Sequence, residues 1–205
     1  GLATVRIVHT VTFDGDQEKD FARGIGIKFG VPLREEPRNR TVRFVGENGG
    51  VWSEPLQIGG GNAAQENGQP FAGSAVFANN AIWDDFKLMQ PTPDGFTIVK
   101  RTNPRSTWIG SWAGNRSIGY AFVGDLGGGL GLSVKNFWQS YPASLEISKA
   151  SSPEAGLTAW LWSPDGQQMD MRHYDLVAHT LAASYEDVQP GMSTAYGVSR
   201  TSELT

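Results

Sequence analysis

The chain has 205 residues and a mass of 22.2 kDa, enough for one large domain or two small ones and for a complete hydrophobic core. Apolar residues make up 39% and charged residues 19%, and 17 Lys and Arg against 21 Asp and Glu leave a net charge of -4, which argues against a disordered chain and against a basic nucleic-acid binder. There is no cysteine, so disulfides, thiol nucleophiles and Cys-ligated metals are excluded, and no run approaches the roughly 20 apolar residues of a membrane helix.

Short segments rich in β-branched and aromatic residues alternate with Gly, Pro, Asn and Asp clusters, the pattern of an all-β sandwich. Thr4 to Thr12 sets Val5, Ile7, His9 and Val11 on one strand face and Arg6, Val8 and Thr10 on the other. Gly24 to Leu33 and Thr41 to Val45 follow, separated from the first strand by the acidic run Asp14 to Asp20. That run fails as a calcium loop, because Lys19 stands where a glycine is needed and Ile25 where a glutamate is needed, so it reads as a solvated turn. Ile58 to Pro70, rich in Gly, Asn and Gln and without periodicity, reads as an exposed loop. Ile82 to Met89 suits a short helix or a strand.

Strands are then expected at Phe96 to Arg101, Ser117 to Val123, Gly131 to Phe137, Leu145 to Ser148, Leu157 to Trp162, Gln168 to Tyr174 and Ala195 to Arg200. The two Pro-Asp-Gly tripeptides, at Pro93 and Pro164, mark turns, and the glycine run at Gly127 lacks the spacing of a nucleotide loop and reads as a tight connection. Trp160 and Trp162 share a face of an apolar strand and read as core, while Trp108 and Trp112 fit either core or surface. The expected fold is a single all-β domain over 1–205. It is a large antiparallel two-sheet β-sandwich of the supersandwich type, with one or two short helices.

Three groups could carry chemistry. In a strand at Gln168 to Tyr174, Asp170, Arg172 and Tyr174 share one face, and Met169, Met171 and His173 the other; His173 is equally a satisfied core imidazole or a working one. A strand through Tyr196, Val198 and Arg200 repeats the Tyr and Arg pairing, which together suggests an anion-accepting surface. Trp138, Gln139 and Tyr141 cluster rings with an amide, the chemistry that stacks on a sugar's C–H face and bonds its hydroxyls, although burial of Phe137 and Trp138 competes with that reading.

Four segments, at Phe13 to Arg34 (FDGDQEKDFARGIGIKFGVPLR), Asn136 to Ile147 (NFWQSYPASLEI), Met169 to Asp175 (MDMRHYD) and Gly191 to Leu204 (GMSTAYGVSRTSEL), resemble in order the central β-sandwich of the exo-acting rhamnogalacturonan lyases, the group that includes the YetA-like bacterial proteins. The resemblance implies a middle domain set between a small N-terminal β-barrel and a C-terminal α/α toroid that forms most of the cleft. It implies β-elimination on a rhamnose and uronic acid polysaccharide, with this domain lending cleft residues or scaffolding and inactive by itself. Carried onto this chain, it makes Arg172, His173 and Tyr174 the catalytic candidates, with Arg172 or Arg200 on the uronate carboxylate and Tyr174 or His173 moving the proton. Arg200, Tyr196, Trp138, Gln139 and Tyr141 are the substrate-binding candidates.

The expected partners are a polysaccharide or oligosaccharide and the toroid domain, without nucleic acid or membrane. No metal ligands are assigned and no cofactor is expected, with a calcium requirement left open. The chain begins at Gly1, so it is expected to be processed or cut from a longer polypeptide, and the polysaccharide substrate implies an extracellular or periplasmic location. The rival expectation, which needs no family, is a non-catalytic carbohydrate-binding sandwich module.

Overall fold

A computed structural model describes residues 3–57, 65–66, 69–70, 80–172 and 195–205. In chain order the strands are β1 (Ile7–Thr12), β2 (Ile25–Pro32), β3 (Thr41–Val45), β4 (Val51–Pro55), β5 (Gln65–Glu66), β6 (Gln69–Pro70), β7 (Asp85–Thr92), β8 (Gly95–Arg101), β9 (Ile109–Gly114), β10 (Tyr120–Asp125), β11 (Gly128–Ser133), β12 (Ala143–Ser148), β13 (Glu154–Trp162) and β14 (Ser199–Leu204). They form a six-stranded sheet ordered β2-β13-β12-β7-β8-β9, a four-stranded sheet ordered β11-β10-β3-β4, a ribbon β1-β14 and the small pair β5-β6, with every pairing antiparallel. The all-β sandwich is as expected. The short helices are, among the described residues, three 3-10 helices of three residues each, at Pro37–Asn39, Glu47–Gly49 and Trp138–Ser140.

Alternation decides which face is core. In the large sheet Phe29, Leu157, Ile147 and Phe86 stand in one cross-strand row, and Ile27, Ala159, Leu145, Leu88 and Ile98 in the next, all facing inward. The small sheet answers with Phe44, Ala121 and Leu132, and Val42 and Val123. Trp52 of β4 bridges the layers, stacked on Phe44 at 5.8 Å and tilted on Phe86 at 6.1 Å.

The ambiguous segment Ile82 to Met89 resolves as strand from Asp85 onward, within β7, and the Pro93-Asp94 turn links β7 to β8 with Thr92 opposite Gly95. The glycine run closes the β10–β11 hairpin, Asp125 facing Gly128. The acidic run is a self-satisfied turn: Asp16 takes the Lys19 ammonium at 2.6 Å, and Asp20 accepts the Asp16 N–H. Of the expected loop Ile58 to Pro70, only the four residues of the β5–β6 pair lie within the described residues.

Three expectations are corrected. Gln168 to Arg172 is not a strand: Met169 makes one isolated bridge to Ala22, and at Arg172 the chain turns, its N–H donating to the Asp170 carboxylate. Residues 173 and 174, including the expected end of that strand, lie outside the described residues. Ala195 to Val198 is a turn through Gly197 at φ 86°, and only Ser199 and Arg200 of the expected strand belong to β14, so Tyr196 and Arg200 do not share a strand face. Trp160 lies on the outer face of the large sheet instead of the core, its Nε1 donating to Glu146 at 2.7 Å. Trp162 is likewise partly exposed and donates to the Gln167 carbonyl.

That outer face is not simply solvent. Lys87, whose side chain is 8% exposed, donates to both oxygens of Asp165 at 2.9 Å, lies 3.8 Å from Glu146 and sits 5.1 Å from the Trp108 ring. Arg101 stacks on the same ring at 4.3 Å and pairs with Asp85 at 2.7 Å. Trp108 therefore belongs to this polar face, while Trp112 packs edge-on against Phe96 in the core.

Candidate functional site

The ring-bearing segment is held by a close backbone approach. Gly119, at φ 82°, lies so near Phe137 that a Cβ there would stand 2.1 Å from the Phe137 Cβ. Phe137 is buried and anchors the turn, Trp138 is partly exposed, Gln139 is exposed, and Tyr141 is 46% exposed. The Arg116 guanidinium lies 4.4 Å from the centroid of the Trp138 ring and is fixed by Asp94 at 2.6 Å. Glu47, Asn48, Arg116, Asn136, Trp138 and Gln139, with Ile118 and Phe137, line a mixed polar and apolar hollow of about 530 Å³. A ring flanked by amide donors and a guanidinium can stack on and hydrogen-bond a sugar.

One residue beyond Gln139, the Ser140 carbonyl accepts a hydrogen bond from Arg200 Nη2 at 2.6 Å. Arg200 has no carboxylate partner among the described residues, and its burial pushes the guanidinium below its ordinary pKa. It lines a largely apolar cavity of about 350 Å³ between the β1–β14 ribbon and the edge of the large sheet. His9 lies on the same wall. Its ring sits opposite Ser202 in the ribbon, and its Nδ1 is buried with no hydrogen-bond partner among the described residues.

Asp170 borders this cavity and also a second polar hollow of about 500 Å³, lined by Phe21, Arg23, Gln168 and Arg172. There Arg172 pairs with Asp170 at 2.7 Å and lies 5.1 Å from the Phe21 ring. The hydrogen bond to that carboxylate, with its charge, holds the Arg172 guanidinium above its ordinary pKa.

The fold thus brings together candidates that are far apart in sequence: Trp138 and Gln139 are tied to Arg200 through Ser140, and Asp170, the partner of Arg172, lines the same cavity as Arg200. Tyr196, 68% exposed, is set apart from Arg200 by the turn at Gly197. His173 and Tyr174 lie outside the described residues. Among the described residues no three His, Asp or Glu side chains gather as metal ligands would.

Sequence reasoning missed two members. Arg116 sits in a polar loop with no local signal that it meets Trp138. His9 did carry a signal, as an imidazole on the Val and Ile face of its strand.

A relative named Uncharacterized protein YetA, from Bacillus subtilis (strain 168), is 34% identical over 221 residues that take in all of this chain. The chain spans about a quarter of that protein, 26% of its length. The family model described as PcRGLX-like protein central beta sandwich domain matches residues 1–205, end to end, and the two facing antiparallel sheets are the architecture that description names. This chain therefore belongs to the PcRGLX-like central beta sandwich domain family.

Proposed function

We propose that this sandwich is the central domain of a polysaccharide lyase that cleaves a rhamnose and uronic acid polysaccharide by β-elimination, and that Arg200 receives the uronate carboxylate. The observation that carries the reading is a half-buried guanidinium, fixed by the Ser140 carbonyl and without an acidic partner among the described residues. A desolvated cation held in place is a ready receptor for a carboxylate, since the cost of dehydrating it is met before the ligand arrives. Arg172 is the weaker candidate for that role, because Asp170 already occupies it.

In the reaction a base removes the C5 proton, the C4–O bond breaks toward an acid, and a C4=C5 double bond forms. Neutralising the carboxylate acidifies C5–H, which is the step Arg200 serves. His173 and Tyr174, directly after Arg172, are the proposed proton carriers, and Trp138, Gln139, Tyr141 and Tyr196 the proposed contacts to neighbouring sugars. An α/α toroid supplies the rest of the cleft, and a polysaccharide substrate implies an extracellular or periplasmic location.

The test is ultraviolet absorbance of the new double bond, followed on rhamnogalacturonan oligosaccharides with the full polypeptide that carries this chain. Arg200→Gln is expected to lower kcat/KM by about 100-fold or more, and Trp138→Ala to raise KM with little change in kcat. The alternative, a carbohydrate-binding module, is favoured by the Arg116-backed Trp138 hollow. It prevails if no absorbance appears in any preparation while oligosaccharide still binds and Trp138→Ala abolishes that binding.

A further inference from the structure

The cavity behind Arg200 has a composition that suits few sugars. Its walls include Val11, Ile25, Leu161, Met169, Met171 and Val198, and the polar groups set within them are few. Arg200 and His9 are diagonal neighbours across the ribbon, Arg200 opposite Val11 and His9 opposite Ser202, close enough for long side chains to converge on one ligand group. The buried His9 Nδ1 has no partner among the described residues, and neither does the Arg200 charge find an acid there. The two carboxylates on the lining, Asp14 and Asp170, belong to exposed residues, and Asp170 is engaged by Arg172. The apolar lining therefore carries one positive charge with no acidic partner among the described residues, and an imidazole on the same wall. Its volume of about 350 Å³ falls in the range of small-molecule sites.

We propose that this cavity binds a carboxylate carried on a flat ring poor in hydroxyl groups, with Arg200 and His9 on the carboxylate and the Val, Ile, Leu and Met walls on the ring. A saturated uronate fits less well, because burying its ring hydroxyls against these walls leaves them without partners. The inference rests on the lyase reading only for the natural source of such a ligand. β-Elimination removes the C5 hydrogen and the C4 oxygen and leaves a C4=C5 bond conjugated to the carboxylate, so the unsaturated uronate end is flatter and poorer in oxygen than the substrate. Arg200 then keeps the same carboxylate through the reaction, and the apolar walls favour the ring once the double bond has formed.

The test is a nuclear magnetic resonance titration of the 205-residue chain with cyclohex-1-ene-1-carboxylate, its uncharged carboxamide, galacturonate and the unsaturated uronate. The cyclohexenecarboxylate is expected to bind with shifts at His9 and Met171, and the carboxamide to bind about tenfold more weakly or worse. Arg200→Gln should erase that difference, and Ala22→Phe, which fills the cavity while keeping Arg200, should block both ligands in a chain whose spectrum stays dispersed. Absence of binding by the cyclohexenecarboxylate, or equal binding by the carboxamide, overturns the proposal. Binding of the cyclohexenecarboxylate without preference for unsaturated uronate over galacturonate keeps the cavity site and removes the lyase product as its ligand.

Discussion

Arg200 on β14 donates from Nη2 to the backbone carbonyl of Ser140 at 2.6 Å, and this bond ties the ribbon formed by the two ends of the domain to the turn that presents Trp138 and Gln139. The carbonyl orients the guanidinium without neutralising it. Burial then works against the charge, which is why the Arg200 pKa is pushed down although a hydrogen bond is made.

A charge held that way contributes little to folding. Arg200→Met is expected to change stability by less than about 1 kcal/mol in either direction, because the lost hydrogen bond is offset by relief of desolvation. Urea unfolding at constant slope measures it. A loss of several kcal/mol would make Arg200 a structural residue and count against a role in binding anions.

The Lys87 cluster behaves in the opposite way. Lys87 is nearly buried between Asp165 and Glu146, whose side chains are 34% and 20% exposed. Lys87→Met should cost about 2–3 kcal/mol, below the full price of breaking a wholly buried pair because both carboxylates reach solvent. Adding Asp165→Asn and Glu146→Gln to Lys87→Met should recover part of that loss, since the stranded negative charges are the main penalty. Equal urea midpoints for the single and triple variants would contradict this account.

The same cluster shows why Trp160 was misplaced from sequence. Alternation cannot say which face of a strand is inside when both faces carry apolar residues, and a register shift against β2 between Trp160 and Trp162 breaks the expected pairing of those two rings on one face. Glu146, which pairs with Trp160, comes from the neighbouring strand. Most strands were legible because their alternation was clean, as in Thr41–Val45. β4 (VWSEP) and β9 (IGSWAG) were missed because Gly, Ser and Pro break the pattern, and their pairing to β3 and β8 supplies what propensity does not. The candidate site was legible only in residue type. Arg200 meeting Ser140 across 60 positions, and Asp170 bordering two hollows, are consequences of tertiary folding.

Acid should loosen the ribbon. Glu203 on β14 accepts from Arg6 at 2.7 Å and from Lys135 at 3.4 Å, and the Arg6 hydrogen bond above all lowers its pKa to about 2. A carboxylate depressed in the folded state adds stability that is present above its unfolded value near 4.5 and is lost as pH falls through about 2. Glu203→Gln should therefore flatten the fall in stability between about pH 4.5 and pH 2 and change little at pH 1. The pair is exposed, so high salt should shrink the difference. Denaturant titrations of both proteins across that range at two ionic strengths test it. Parallel acid limbs would remove Glu203 from the account.

The turn that carries Trp138 depends on a residue with no side chain. Gly119 has φ 82°, a conformation costly for other residues, and the atom an alanine would add lies 2.1 Å from the Phe137 Cβ. Phe137 cannot retreat, because it is fully buried and its Cβ is fixed to the backbone that starts the turn. The Gly119 carbonyl also accepts the Val134 N–H, so a shift of Gly119 pulls on the segment where β11 meets β14. Gly119→Ala is expected to cost about 3 kcal/mol or more, from backbone strain and overpacking together. Saccharide binding through Trp138 should weaken along with stability, whereas Gly49→Ala, at φ 77° with open space around its Cβ position, should cost only the strain of its conformation, about 1–2 kcal/mol. Urea unfolding of the two variants side by side separates the contributions. Equal losses would show that the approach to Phe137 is not what fixes the turn.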